Sequence, residues 1–218
     1  MPNSSKTNTA TPPLVLASSS PRRQQILRQL GLPFSVIVPD VEELVGNAGL
    51  FPAELALENA RLKAQAVADN RSCVIGADTV VTIDGICLGK PADLAEANAM
   101  LHRLSGRIHE VITGVALADP ASGALVTFHV VTEVEFQPLD DAAITAYLGR
   151  IDPLDKAGGY AAQDHGHLII RRINGPLDNV IGLPLAALAN RLADLGYPID
   201  PSTATNPSLR PGPAAFTP

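Results

Sequence analysis

The stretch Leu14–Leu30, LVLASSSPRRQQILRQL, changes character twice, and each change restricts the backbone. LVLA is a short apolar run suited to a buried strand. Ser18, Ser19 and Ser20 form a small hydroxylated turn. Pro21 then opens a segment whose Ile26, Leu27 and Leu30 fall on one side of a helix. Ser20 suits the N-cap and Pro21 the first helical position. The stretch therefore predicts strand, tight turn, helix. Such a turn directs free backbone N–H groups and the positive end of a helix at its occupant. Arg22 and Arg23 stand in the first helical turn, where cations oppose the helix dipole unless an anion is near. An anion site, phosphate above all, explains the pattern. Taken alone, a capped helix with surface arginines explains it equally well.

The rest of the chain predicts α/β architecture with a mixed sheet. Phe34–Val38 reads as a strand and Pro39–Phe51 as an acidic loop carrying Asp40, Glu42 and Glu43. Pro52–Asp69 reads as a helix with Leu57, Ala60, Ala64 and Val67 as its buried stripe, and with Asn59 and Lys63 one turn apart on an adjoining face. Cys73–Ala77 reads as a strand that ends at Asp78 and Thr79. Val80–Ile83, Asp84-Gly85 and Ile86–Leu88 make a hairpin signal. Asp93–Leu104 is a helix with a capping-box start. Ile108–Leu117 and Leu125–Phe136 read as two long strands, the second with Phe128, Val130, Thr132, Val134 and Phe136 on one face. A short helix Asp140–Leu148, a glycine-rich loop Asp155–Gln163, a strand Leu168–Ile173 and a last helix Leu183–Leu195 complete the reading. Residues 14–197 form the expected folded unit. Residues 1–13 and the Pro-rich stretch 198–218 are expected to be disordered.

Charge and cysteine use exclude several classes. Sixteen Lys and Arg against 22 Asp and Glu leave a formal net charge of −6, a poor balance for nucleic-acid binding, which needs a basic face. Cys73 and Cys87 sit in apolar contexts and read as reduced thiols. No apolar run is long enough to span a membrane, and the N-terminal residues lack the apolar core of a secretory signal. A cytoplasmic location is expected.

Several residues are candidates for chemistry. Asp78 is expected where a buried strand ends, the usual ligand side of an α/β sheet; a carboxylate there can bind a divalent metal or take a proton from water. A turn-forming aspartate is the plainer reading of GAD alone. Glu42 and Glu43 are a second acidic group, which on its own reads more simply as a solvated loop. Lys63, Lys90 and Lys156, each with a small or apolar neighbour, can each meet a phosphate as a point charge. Gly89-Lys90 lacks the remaining features of a P-loop, and neither a G-x-G-x-x-G nor a G-x-S-x-G is present. His165 and His167 could share a strand face, but no third ligand stands at zinc-like spacing.

Eight motifs in order carry a resemblance: SSSPRR at Ser18–Arg23, VEE at Val41–Glu43, NARLKA at Asn59–Ala64, GADTVV at Gly76–Val81, GKP at Gly89–Pro91, LSGRIHEVITGV at Leu104–Val115, DKAGGYAAQ at Asp155–Gln163 and NVIGLPL at Asn179–Leu185. Together they resemble the Maf family of nucleotide pyrophosphatases, and the fourth, seventh and eighth are similar to its dTTP- and UTP-hydrolysing branch. Asn59 is a departure, since the family usually has leucine there. The resemblance implies a Maf/inosine-triphosphatase-like fold, an elongated mixed twisted sheet flanked by helices with two lobes around a central cleft. It implies a house-cleaning or pool-regulating hydrolase of acid anhydrides that converts dTTP and UTP to monophosphate and pyrophosphate, modified pyrimidine nucleotides being further candidates. Asp78 would be the catalytic acid–base residue, with Glu43 and Asp78 holding Mg²⁺ or Mn²⁺. Ser18, Arg23, Lys63, Lys90 and Lys156 would line the phosphate channel. Arg22, Thr79 and Gln163 would set base preference, the last two offering donors and acceptors to a pyrimidine imide edge. The alternatives are a pyrophosphatase for 7-methyl-GTP or other modified or purine nucleotides, and a nucleotide-binding regulator of cell division. A homodimer is compatible with the resemblance, and the strand Thr127–Phe136 is one candidate surface.

Overall fold

A computed structural model describes residues 11–46 and 49–199; the rest of both terminal segments assigned above to disorder lies outside the described residues. The elements are β1 (Leu14–Ala17), α1 (Pro21–Arg28), β2 (Phe34–Ile37), α2 (Pro52–Val67), β3 (Cys73–Ile83), β4 (Ile86–Leu88), α3 (Leu94–Leu104), β5 (Ile108–Ala118), β6 (Leu125–Phe136), α4 (Asp141–Leu148), β7 (Ile170–Asn174), α5 (Leu177–Ile181) and α6 (Leu185–Asp194). One seven-stranded mixed sheet runs β2-β1-β3-β5-β6-β7, with β4 paired to β3. Strands β2, β1 and β3 are parallel, and the other pairings are antiparallel.

Strand β3 organises the molecule. The expected break at Asp78 is absent: Cys73–Ile83 is one continuous strand, and Asp78 lies inside it. What ends near Asp78 is the neighbour. Strand β1 pairs with β3 only as far as Gly76, and β4 begins pairing at Val81. Between those two partners the β3 edge at Asp78–Val80 opens as a gap. Side chains alternate across a strand, so Asp78 and Thr79 enter the gap from opposite faces of the sheet.

On the Thr79 face, two cores flank the gap. One joins Leu14, Leu16, Ile26, Leu27, Ile75 and the α6 residues Leu185 and Leu188. The other joins Val81, Leu101, Leu104, Val111, Phe136 and Tyr147. These are the expected lobes, and β3 and β5 are long enough to serve both. On the Asp78 face α2 lies directly on the sheet. Its approach depends on two glycines: a Cβ at Gly76 would stand 2.2 Å from the Ala60 carbonyl oxygen, and one at Gly114 2.5 Å from the Ala56 carbonyl.

This close seat rotates α2 relative to the expected stripe. Ala60 and Ala64 are buried, joined by Leu55, Ala56, Asn59 and Lys63, while Leu57 and Val67 are half-buried. The Asp84-Gly85 turn has positive φ at both residues, as a two-residue hairpin turn requires. The expected face of β6 is the more buried one, with Thr132, Val134 and Phe136 enclosed. Helix α5 is an addition to the sequence reading; its five residues are too few to show a helical period. His165 and His167 do not share a strand. His165 is left-handed (φ 59°) and His167 lies in a 3-10 turn, with ring centroids 6.3 Å apart. The last strand starts later, at Ile170. Near the ends of the described chain, the Pro12 carbonyl accepts from Tyr197 Oη at 2.7 Å and the Pro13 carbonyl from the Cys73 amide at 2.9 Å.

Candidate active site

The gap beside β3 opens into a cleft of about 590 Å³, lined by the ten residues to which the resemblance gives a role: Ser18, Arg22, Arg23, Glu43, Lys63, Asp78, Thr79, Lys90, Lys156 and Gln163. A cavity of this size suits a nucleotide-sized ligand. Four chain segments bring these side chains together, each shaped by a local cause.

The serine turn is the first wall. Ser20 caps α1 by accepting from the Arg23 amide at 3.4 Å, and Pro21 occupies the first turn. Ser18 is buried, and its Oγ accepts from the Ser20 amide at 3.1 Å. The two arginines diverge. Arg23 turns inward: its Nε donates to the Gly182 carbonyl at 2.8 Å and one terminal nitrogen to Thr79 Oγ1 at 3.1 Å. Burial lowers its pKa, opposed by the carboxylates of Asp78 and Glu43. Arg22 points across the cleft mouth and pairs with Asp155 at 3.2 Å.

The second wall is α2 with the acidic loop. Lys63, only 6% exposed, puts its ammonium between two carboxylates, 2.6 Å from Asp78 Oδ1 and 3.1 Å from Glu43 Oε1. Asn59 lies one turn earlier. Its Nδ2 donates to Asp78 Oδ2 at 3.3 Å and to the Leu44 carbonyl at 3.0 Å, while its Oδ1 accepts from the Leu44 amide at 2.8 Å. Partial burial pushes the Glu43 carboxyl up, but Lys63, reinforced by Lys90 and Arg23, holds it below the usual carboxylate range. Lys63 is thus already partnered by carboxylates. Glu42 does not line the cleft.

The third wall joins β4 to the glycine-rich segment. Gly158 (φ 72°) donates its amide to the Gly89 carbonyl at 3.0 Å and packs against Val81, where a Cβ would stand 3.1 Å from the valine side chain. This backbone pairing sets Lys90 and Lys156 on one side of the cleft. Lys156 is buried, its ammonium held by the Asp152 carbonyl at 2.7 Å and by the Asp155 carboxylate. Burial raises the Asp155 carboxyl, but Lys156 and then Arg22 outweigh it and hold it low. Lys90 and Gln163 are exposed at the rim.

The fourth wall is a polar seam between the two cores. Thr79 Oγ1 shares a hydrogen bond with Thr113 Oγ1 at 3.0 Å, and Thr113 donates to the Asn179 carbonyl at 2.8 Å. Asn179 Nδ2 donates to the Val111 carbonyl and to Thr132 Oγ1, both at 3.0 Å. Sequence reasoning gave no role to Thr113 or Asn179. The cross-strand register Thr79↔Thr113 exists only once β3 and β5 are paired. Behind the seam, His109 Nε2 and Tyr160 Oη are 2.8 Å apart, and His109 Nδ1 has no hydrogen-bond partner among the described residues. Burial pushes the His109 pKa down to about 4.

Chemically, the cleft holds hard carboxylate oxygens from Asp78 and Glu43 together with cations at Arg23, Lys90 and Lys156. No group of three or more His, Cys, Asp or Glu able to hold a metal occurs among the described residues. The two carboxylates converging on Lys63 are nonetheless an oxygen donor set of the kind Mg²⁺ uses beside phosphate and water.

The family model described as Maf-like protein matches residues 13–195. This chain belongs to the Maf family. A protein named dTTP/UTP pyrophosphatase from Akkermansia muciniphila is 48% identical over 85% of this chain and 98% of its own length. Proteins of the same name from Symbiobacterium thermophilum and Bacillus anthracis are 50% and 45% identical, over 85% and 82% of this chain and 95% and 93% of their own lengths. Among solved structures, a nucleoside-triphosphatase / dITP/XTP pyrophosphatase from Mycobacterium abscessus overlaps at TM-score 0.38 and 17% identity, covering 58% of this chain and 75% of that one. That superposition is too loose to bear on the site.

Proposed function

We propose that this Maf protein hydrolyses dTTP and UTP to the nucleoside monophosphate and pyrophosphate. The observation that carries the reading is the pairing, in one cleft, of the Asp78–Lys63–Glu43 cluster with the cationic wall of Arg23, Lys90 and Lys156. A triphosphate needs its charge met locally, and an anhydride attack needs a carboxylate near the water. The names of the three relatives supply the nucleobases. Modified pyrimidine triphosphates belong to the same substrate class.

The triphosphate lies along the Ser18–Arg23 turn, its oxygens facing Arg23, Lys90 and Lys156. Asp78 orients or deprotonates the attacking water in the α–β anhydride region. Thr79, Gln163 and Arg22 border the base end. A divalent cation, Mg²⁺ or Mn²⁺, would be held by Glu43 and Asp78 and would supply positive charge to the phosphates. Lys63 keeps the two carboxylates together and is positioned to turn its charge toward phosphate when one of them takes another partner. Residues 14–197 act as one catalytic domain without nucleic acid. No helix among the described residues is long and apolar enough to cross a membrane. The cytoplasm, which holds the nucleotide pool, is the location we propose.

The test is pyrophosphate release across dTTP, UTP, 7-methyl-GTP and purine triphosphates, with and without Mg²⁺. The expected outcome is a preference for dTTP and UTP, lost without a divalent cation. Asp78→Asn should keep the fold and lower kcat by about a thousandfold, the scale of removing a catalytic acid–base group. Near-wild-type turnover by Asp78→Asn would overturn the assignment, and binding of dTTP with no pyrophosphate release would favour a regulatory binder.

A further inference from the structure

Asn59 is 3% exposed in the middle of α2, where an apolar side chain would fill the same space. Both of its amide protons and one lone pair are used, and every partner belongs to the reaction cleft. The Leu44 backbone supplies an acceptor and a donor to opposite ends of the amide. Reversing the amide would place like groups together at Leu44, so its orientation is determined. That orientation directs the remaining N–H at Asp78 Oδ2. Leu44 follows Glu43 directly in the chain, so holding Leu44 also places the Glu43 carboxylate, which is 42% exposed and whose side-chain hold in the cleft is Lys63. One turn of helix thus fixes both carboxylates: Asn59 through Leu44 and Asp78 Oδ2, Lys63 through Glu43 and Asp78 Oδ1.

We propose that Asn59 is a positioning residue that fastens the acidic loop to Asp78, setting the spacing of the Glu43 and Asp78 carboxylates for a divalent cation. The proposal rests on the pyrophosphatase reading for its kinetic consequences, but not for the tether itself. An apolar residue at 59 would preserve packing and release the loop. Glu43 would then sample positions away from Asp78, and the cost would fall on cation use and turnover more than on nucleotide affinity.

The experiment uses the full chain. Mg²⁺ titrations of dTTP hydrolysis compare wild type, Asn59→Leu and Asn59→Asp, alongside melting curves and amide exchange of Leu44. Asn59→Leu is expected to raise the Mg²⁺ midpoint and lower kcat, each on the order of tenfold, with KM for dTTP at saturating Mg²⁺ changed less than about threefold. Asn59→Asp keeps the acceptor for the Leu44 amide, loses both donations and sets a carboxylate beside Asp78, so its kcat is expected to be lower still. In wild type the Leu44 amide should exchange slowly, and in Asn59→Leu at the rate of an open loop. A purely structural amide would lower the melting temperature and leave the Mg²⁺ midpoint in place; that result overturns the proposal. Fast exchange at Leu44 in wild type overturns it as well, whether or not either variant folds. A wild type that releases no pyrophosphate defeats the functional reading, and the Leu44 exchange then still decides the tether.

Discussion

Asp78 and Thr79 are consecutive residues of β3 that face opposite sides of the sheet into different kinds of polar surroundings. Asp78 meets charge: Lys63 at 2.6 Å, with Glu43 beyond it on a loop. Thr79 meets one guanidinium, that of Arg23, and behind it a neutral run from Thr113 to Asn179. The charged cluster is made by a helix and a loop, and one of its three members is 42% exposed. The neutral seam is made by two paired strands and α5 and is enclosed by two cores, with Thr113 and Asn179 completely buried. Charges that lose their solvent are costly unless partnered, and their arrangement can change when a new ion arrives. Buried hydroxyls and amides with fixed partners have one low-energy arrangement. The contrast assigns rearrangement to the Asp78 side and rigid support of Arg23, which we propose to face phosphate, to the Thr79 side.

Lys63→Met is the strongest way to break that contrast. It removes the cation between two carboxylates, one of them buried, and should cost roughly 3 kcal/mol of stability, together with most of the turnover. A divalent cation can substitute for the ammonium between those oxygens. Mg²⁺ should therefore raise the melting temperature of Lys63→Met more than that of wild type, because ligand binding to the folded state stabilises it. Differential scanning fluorimetry with and without Mg²⁺ measures both. Equal Mg²⁺ effects in the two proteins would place the metal elsewhere.

A pH titration of stability separates the faces again, since His109 lies on the Thr79 side of β5. Its folded pKa is about 4 against an ordinary 6.5. The unfolded chain takes up the proton first as pH falls. The stability from the neutral, buried ring is therefore complete above about pH 6.5 and is lost as pH drops toward 4, about 3 kcal/mol in all. The carboxyls held low, Glu43 and Asp155, lose their contribution at lower pH, below the ordinary carboxylate range. Between pH 6.5 and 5 the loss of stability should belong mainly to His109, the Asp178 carboxyl, which burial pushes up, acting in the opposite sense as it takes up a proton. His109→Gln can keep a hydrogen bond to Tyr160 and cannot titrate, so chemical denaturation at pH 5 and pH 7 should give nearly equal midpoints for it and unequal ones for wild type.

The two sides also differed in how far the sequence revealed them. The serine turn, the Asp84-Gly85 hairpin and the capped helices α3 and α4 follow local rules and could be read directly. The members of the charged cluster could be named because charged side chains in apolar or glycine-rich surroundings are conspicuous. Their pairing was not visible: whether Lys63 faces phosphate or carboxylate depends on how closely α2 sits on Gly76 and Gly114, a tertiary fact. The same seat buries Asn59 and displaces the expected stripe. The break expected at Asp78 is absent because polarity within a strand need not mark its end; here it marks where the neighbouring strand stops. Thr113 and Asn179 gave no signal, being uncharged residues whose partners are 34 and 66 positions away.

Thr113→Val is the smallest and most discriminating perturbation. It keeps the branched shape and removes one hydroxyl, leaving the Thr79 hydroxyl and the Asn179 carbonyl each short of a partner. The expected cost is about 1–2 kcal/mol, the range for buried groups left unpaired. Thr79 would remain bonded to Arg23 but be held less firmly, and Arg23 would keep its 2.8 Å bond to Gly182. If the seam serves to aim Arg23 at phosphate, KM for dTTP should rise a few-fold, about the effect of 1 kcal/mol, while kcat and the Mg²⁺ midpoint stay at wild-type values. Thr79→Val, which removes the bond to Arg23 itself, should raise KM further in the same direction. Steady-state kinetics at saturating and limiting Mg²⁺ check both variants. A shifted Mg²⁺ midpoint in Thr113→Val would mean that the two faces of β3 are coupled through the strand, and the division of labour between Asp78 and Thr79 would have to be abandoned.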